Sequence, residues 1–242
     1  MDSAGAPAFH ENEPHQNDVA QRLNWLRAGV LGANDGIVSV AAIVVGVAGV
    51  TTQSGPILVA GTAGLVGGAV SMALGEYVSV SSQKDSQEAL IEKERQELQE
   101  QPEDELEELA AIYQGKGLSA DTARTVAREL TAHDALGAHL SAELNIDEAD
   151  MVSPWHAALA SAVAFVAGAI LPMLAILLPP ENIRVPLTFA AVLVALAATG
   201  ALGAWIGGGS KWRAAVRVVV GGALALGATY SIGNLLGASG VL

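Results

Sequence analysis

Two acids and a thioether stand in stretches of sequence that are otherwise apolar. Asp35 falls within residues 28–50, and Met72 and Glu76 fall within residues 56–79. Gly68, Met72 and Glu76 recur every four residues and so share one helix face, while Gly32, Asp35 and Ser39 share another. If a hairpin turns those faces together, two carboxylates and a thioether converge inside a membrane. Oxygen ligands alone suit magnesium, calcium or manganese, and a thioether shifts the preference toward softer transition ions. An acid in such a span costs roughly 2.5–3.5 kcal/mol, whereas Ser or Asn would supply structural hydrogen bonds more cheaply, so a transport role is expected. The plainer alternative makes Met72 core filler and leaves Asp35 or Glu76 protonated or hydrogen bonded within the bundle. Because a metal ion must displace the proton of a carboxyl group to bind it, these residues are also candidates for proton coupling.

A second constellation lies in the acidic stretch that follows. Glu94 and Glu97 are one helical turn apart, as are Glu105 and Glu108, and His139 and Glu143 are four residues apart. Packing three such faces around a centre would assemble carboxylates and an imidazole without a thiolate, a set compatible with ferrous iron, manganese or zinc. Charged runs on helices are also commonly solvated faces, with Lys93 and Arg95 as partners here. Glu88, Glu92, Glu100, Glu103 and Glu107 are assigned to such a face. His10, Glu11, Glu13 and His15 are read as part of a solvated tail.

The elements that must position these groups are helices. The chain is 51% hydrophobic with 4% aromatic residues and 27 glycines, and its long apolar runs are separated by little polar sequence. The expected fold is all-α: a polytopic membrane protein with five transmembrane helices and a cytoplasmic three-helix acidic domain inserted between helices 2 and 3. Residues 1–24 are expected to be a disordered polar N-terminus without the features of a signal peptide. Residues 25–83 form transmembrane helices 1 and 2, residues 84–150 the metal-binding helical domain, and residues 151–242 transmembrane helices 3–5. Within 84–150, Pro102 fits a first helical position followed by an acidic first turn. Gly115 and Gly117 end that helix, and Ser119 caps a further one reaching Asn145. Its apolar stripe is Leu118, Val126, Leu130, Leu136, Leu140 and Leu144. Ser153 and Pro154 open the third span, in which Pro172 predicts a kink.

Charge fixes an expected orientation. Arg22, Arg27, Lys84, Lys211, Arg213 and Arg217 fall on one side of the spans, against Arg184 on the other, which places the N-terminus and the acidic domain in the cytoplasm. Of the 25 acidic residues 18 lie between Lys84 and Asp150, so the net charge of −13 belongs chiefly to that segment, and nucleic acid is excluded as a partner. Cysteine is absent, which removes disulfides, iron–sulfur clusters and thiolate zinc sites. Gly32 with Gly36, Gly64 with Gly68 and Gly203 with Gly207 have the spacing that lets helices pack closely.

From Leu26 to Leu236 the sequence resembles the vacuolar iron transporter family. The marks are Gly32-Ala33-Asn34-Asp35-Gly36, then Ser71-Met72-Ala73-Leu74-Gly75-Glu76-Tyr77, then the acidic insertion after the second span. The resemblance implies a homodimer of five-span chains that exports Fe2+ or Mn2+ from the cytosol in exchange for protons. It has no prosthetic group, and membrane lipid surrounds it. Asp35 and Met72 match the family's intramembrane ligands and Glu76 its adjacent acid. Glu94, Glu97, Glu105, Glu108 and Glu143 match its cytoplasmic glutamates. His139 and Leu140 stand where plant members place methionines, which leaves the choice among iron, manganese and zinc open and makes Zn2+ a candidate ion for the acidic domain. A bacterial source would imply the plasma membrane, and a plant or fungal source the vacuolar membrane.

Two other classes compete. A membrane-anchored ferroxidase of the ferritin-like type needs Glu-x-x-His on two helices, and that motif is absent. A metal sensor or buffer would need only one span as an anchor and leaves the intramembrane acids without a purpose.

Overall fold

The computed structural model describes residues 16–146 and 153–239, with side chains from residue 29 onward. The described residues form helices only: α1 (Gln16–Val50), α2 (Ser54–Glu100), α3 (Pro102–Gly115), α4 (Ala120–His139), a π-helical turn (Leu140–Leu144), α5 (Pro154–Leu177), α6 (Arg184–Ile206) and α7 (Lys211–Ala238). His10, Glu11, Glu13 and His15 lie outside the described residues. Two compact units result, one reaching to Tyr77 and resuming at Trp155, the other Val78–Pro154, and α2 contributes to both.

In the first unit, five helices are long and apolar enough to cross a membrane, α1 from Gly29 onward. Helix α1 is the central one. Its residues Ile37, Val40, Ala41, Val44 and Val45 recur at three- and four-residue steps and are all buried. They pack with Ile57, Phe165, Ala169, Ile176, Val192, Leu196 and Leu226 from the other four helices. Outward-facing positions are apolar as well: Val59, Val66, Leu74, Leu174, Val194 and Leu224 are each at least half exposed. A water-soluble bundle does not present such a surface, whereas a bilayer solvates it.

Small residues set the helix spacing. A Cβ at Gly32 would meet Ala164 Cβ and Ser161 O of α5, both at 3.0 Å, and one at Gly36 would overlap the Phe165 carbonyl. Gly64 faces Ile43, Gly68 faces the Phe165 ring, and Gly203 faces Val30, so the expected close-packing role holds at these glycines; Gly207 touches only its own helix at Gly203. The tightest contact of α1 with α7 is between two glycines, Gly46 and Gly233, where an added methyl would collide with backbone. Gly233→Ala is therefore expected to lower the thermal midpoint of the purified protein, at a cost of about 1–3 kcal/mol. Gly227→Ala, at a position with open space, should leave the midpoint unchanged or slightly raised.

Helix α1 begins at Gln16, inside the segment 1–24 expected to be disordered. Helix α5 starts at Pro154 and continues without a break through the buried Pro172, which neighbouring helices accommodate.

The second unit contains the end of α2, with α3, α4 and the π-helical turn. Pro102 is the first residue of α3, with Glu103, Asp104 and Glu105 in its first turn, and Gly117 follows its end at φ 104°. Ser119 caps α4, its Oγ accepting the Thr122 N–H at 3.4 Å. Of the expected apolar stripe, Leu130, Leu136, Leu140 and Leu144 pack into the two small cores of this unit and Val126 is half-buried, whereas Leu118 is 39% exposed and Ala123 and Ala127 are buried as well. The helix is not continuous to Asn145. Asp134 breaks it with φ −158° and ψ 94°, and its Oδ1 accepts the Gly137 N–H at 3.0 Å, in effect capping a second short helix. That segment widens into the π-helical turn and stops at Asn145, whose φ is 51°.

Candidate metal centre

Three helical segments of the second unit each deliver ligand atoms to one place. Glu94 comes from α2, Glu105 from the first turn of α3, and His139 from the end of α4. Their ligand atoms all lie within 4.8 Å of one another. His139 Nδ1 is 2.9 Å from Glu94 Oε1, 3.5 Å from Glu105 Oε2 and 3.8 Å from Glu143 Oε2. His139 is fully buried and Glu94 and Glu105 nearly so, with Glu143 at the rim. Apolar neighbours enforce the burial: Leu109, Ala110 and Ala127 between α3 and α4, and Ile91, Leu140 and Ile146 beside the π-helical turn.

The polar atoms of this pocket are not satisfied by one another. Glu94 Oε1 and both ring nitrogens of His139 lack hydrogen-bond partners among the described residues, since the short Nδ1 approach has no hydrogen-bond geometry. Each orphaned buried polar group costs about 1–3 kcal/mol. Burial pushes the Glu94 carboxyl up to about 7, with the charges of Glu143, Glu105, Glu97 and Glu108 adding to the effect. Glu105 is raised for the same reason, burial first and then Glu108, with His139 opposing. A set of acids held against their own repulsion around an imidazole is what a dication would relieve. Two carboxylates and an imidazole fit ferrous iron, manganese or zinc.

The other acids stand differently. Glu108 is exposed, and Glu97 is half-buried with its Oε2 accepting from Lys93 Nζ at 2.8 Å, so neither is gathered with the three. The solvated face is occupied by ion pairs: Lys84 with Glu88, Arg95 with Glu92, and Arg124 with Glu107. The Arg124 hydrogen bond holds Glu107 below the usual carboxylate range.

In the first unit, Asp35 is half-buried on the central helix and accepts a hydrogen bond from Ser39 Oγ at 2.8 Å. Met72 is packed against the apolar core, and Glu76, one turn further along α2, is half-buried. Among the described residues, Asp35 and Glu76 form no three-member cluster with another acid or histidine. Two residues named in the sequence reading have structural roles that it did not assign. Asn34 accepts a hydrogen bond from Thr199 of α6 through its Oδ1, and its polarity within an apolar span was the available signal. Arg184, noted only as a charge on the far side, is buried and joins the α1–α2 turn to α6, with Nη1 donating to Thr52 O at 3.1 Å and Ser54 Oγ at 3.3 Å.

Comparison with known proteins agrees with the resemblance carried by the two motifs. The chain is 43% identical to a vacuolar iron transporter of Acanthamoeba castellanii, over 93% of this chain and 83% of that protein. It is 36% identical to vacuolar iron transporter homolog 5 of Oryza sativa subsp. japonica, over 93% and 86%. With vacuolar iron transporter homolog 2 of Arabidopsis thaliana it shares 34% identity over the whole of both chains. These relatives are named as transporters and not as enzymes. The model of the VIT family matches residues 26–234, nearly everything between the first and last apolar helices, and the chain belongs to that family.

Proposed function

We propose that this protein transports a divalent metal ion, Fe2+ or Mn2+, out of the cytosol in exchange for protons. Asp35, Met72 and Glu76 line the transport pathway. Glu94, Glu105 and His139 bind the ion in the cytoplasmic unit, with Glu143 at the rim and Glu97 and Glu108 supplying negative potential around it. That unit and the N-terminus face the cytosol, a reading supported by the basic residues at the α6–α7 connection and at Lys84. The working molecule is a homodimer embedded in lipid, and Zn2+ is a competing occupant of the cytoplasmic centre.

The observation that carries this reading is the gathering of two buried carboxylates and an imidazole, with Glu94 Oε1 and both His139 nitrogens unpartnered among the described residues, in a chain that also carries acids on membrane-length helices. Relatives named as iron transporters support iron as the cargo. Purified protein in liposomes should accumulate Fe2+ and Mn2+ in preference to Ca2+, faster when the receiving compartment is acidic, and should carry protons the other way. Uptake indifferent to the pH gradient would remove the exchange mechanism, and no uptake of either ion would remove the function.

A further inference from the structure

The end of the first unit that carries the α1–α2 turn holds a cavity of about 300 Å³. Its polar lining is Thr51, Thr52, Glu181, Asn182, Arg184 and Tyr230. Arg184 is 5% exposed. A guanidinium so deeply placed ordinarily spends all its donors. Here Nη1 is used by Thr52 and Ser54, Nη2 is 4.0 Å from Glu181 Oε1, and Nε has no partner among the described residues. Glu181 is 62% exposed and too distant for a hydrogen bond, so it does not neutralise the charge at close range.

The remaining polar lining is rich in donors: the hydroxyls of Thr51, Thr52 and Tyr230 and the amide of Asn182. Helix α6 also begins here; its Arg184 N–H is taken by Pro180 O at 3.1 Å and Pro186 has no N–H, so the Val185 N–H is the backbone donor it adds. A buried arginine that lines a cavity, its Nη2 making no hydrogen bond among the described residues and lying 4.0 Å from the nearest carboxylate, has the chemistry of oxyanion recognition.

We propose that this cavity binds a phosphate-type oxyanion, either free phosphate or the headgroup of a phospholipid, held by Arg184. The site is independent of the metal centre and of the transport reading. It joins the α1–α2 turn, α6 and α7 through a shared ligand.

The test is thermal unfolding of the purified full chain in detergent. Inorganic phosphate should raise the midpoint saturably beyond sodium chloride of equal ionic strength. Phosphatidylglycerol in the micelle should raise it at lower concentration if the lipid is the source, and diacylglycerol, which lacks the phosphate, should not. Arg184→Gln should lose the response. In case that variant fails to fold, Glu181→Gln on the exposed side decides the matter, because removing the nearby negative charge should tighten phosphate binding about fivefold. The proposal is overturned if neither phosphate nor phosphatidylglycerol exceeds its control, or if Glu181→Gln leaves the affinity unchanged.

Discussion

Asp35→Asn is expected to reduce metal transport about 100-fold or more while leaving ion binding by the second unit intact. The reasoning begins with the helix that bears it. Helix α1 is, equally with α5, the most enclosed of the five long apolar helices, buried along Ile37, Val40, Ala41, Val44 and Val45, and its neighbours close on it at Gly32 and Gly36, on either side of Asp35. A carboxylate there is held by Ser39 and is not spent in an ion pair among the described residues. Asparagine has nearly the same shape and can still accept the Ser39 hydrogen bond, so packing is preserved while the charge is lost. Even removing an outer-shell partner of a metal ligand costs 10–100-fold, and an anionic ligand lost from a low-dielectric path should cost at least as much. The measurement is Mn2+ uptake into liposomes, paired with Mn2+ binding to the same preparation. Uptake within twofold of the unsubstituted protein would take Asp35 off the pathway, and loss of both activities together would mean that the variant is misfolded.

Much of this arrangement was legible in the residues, and the parts that were not have identifiable causes. The five apolar helices follow from run length, because a bilayer demands about 20 apolar residues per crossing and leaves little else to infer. The cap at Ser119 and the start at Pro102 were readable because those residues act on the backbone next to them. The break at Asp134 was missed although two signals were present: aspartate is a strong helix cap, and the six-residue step from Leu130 to Leu136 departs from helical spacing. That break, followed by the wide π-helical turn, sets the direction of the segment carrying His139 and Glu143. Four-residue spacing paired these two correctly, although the backbone between them is not a regular α-helix.

Selection among the acids was harder to read. Glu94 and Glu97 look alike in the sequence, as do Glu105 and Glu108. Their different fates depend on which side of each helix meets Leu109, Ala127 and the end of α4, a tertiary matter that spacing on one helix cannot express. Lys93 then draws Glu97 outward, so the centre keeps one acid from each pair. Arg184 was hidden for a related reason. Its partners at Thr52 and Ser54 are about 130 residues away in the chain, and no local pattern announces them.

The second large effect concerns pH at the metal centre, and its sign follows from the direction in which Glu94 is displaced. Its carboxyl lies near the usual 4.5 in the unfolded chain and at about 7 when buried, so the folded state holds the proton more tightly. The corresponding stability is fully present below about pH 4.5 and is lost as pH rises through about 7, a change on the order of 3 kcal/mol by pH 8. Metal-free protein should therefore unfold at progressively lower temperature from about pH 5 to pH 8. Bound ion reverses the trend: it needs the carboxylate free of its proton, so apparent affinity should rise over the same window and the ion should stabilise most where the metal-free protein is weakest. Glu94→Gln, neutral at every pH, should flatten the metal-free decline and weaken Mn2+ binding at pH 8. His139→Ala should cost a further 10–100-fold in affinity for Zn2+, because only carboxylates then remain. Thermal unfolding with and without Mn2+ across this range checks both statements. A metal-free midpoint that rises with pH, or a Glu94→Gln variant that tracks the unsubstituted protein, would mean that the crowded acids are not what stores the binding energy.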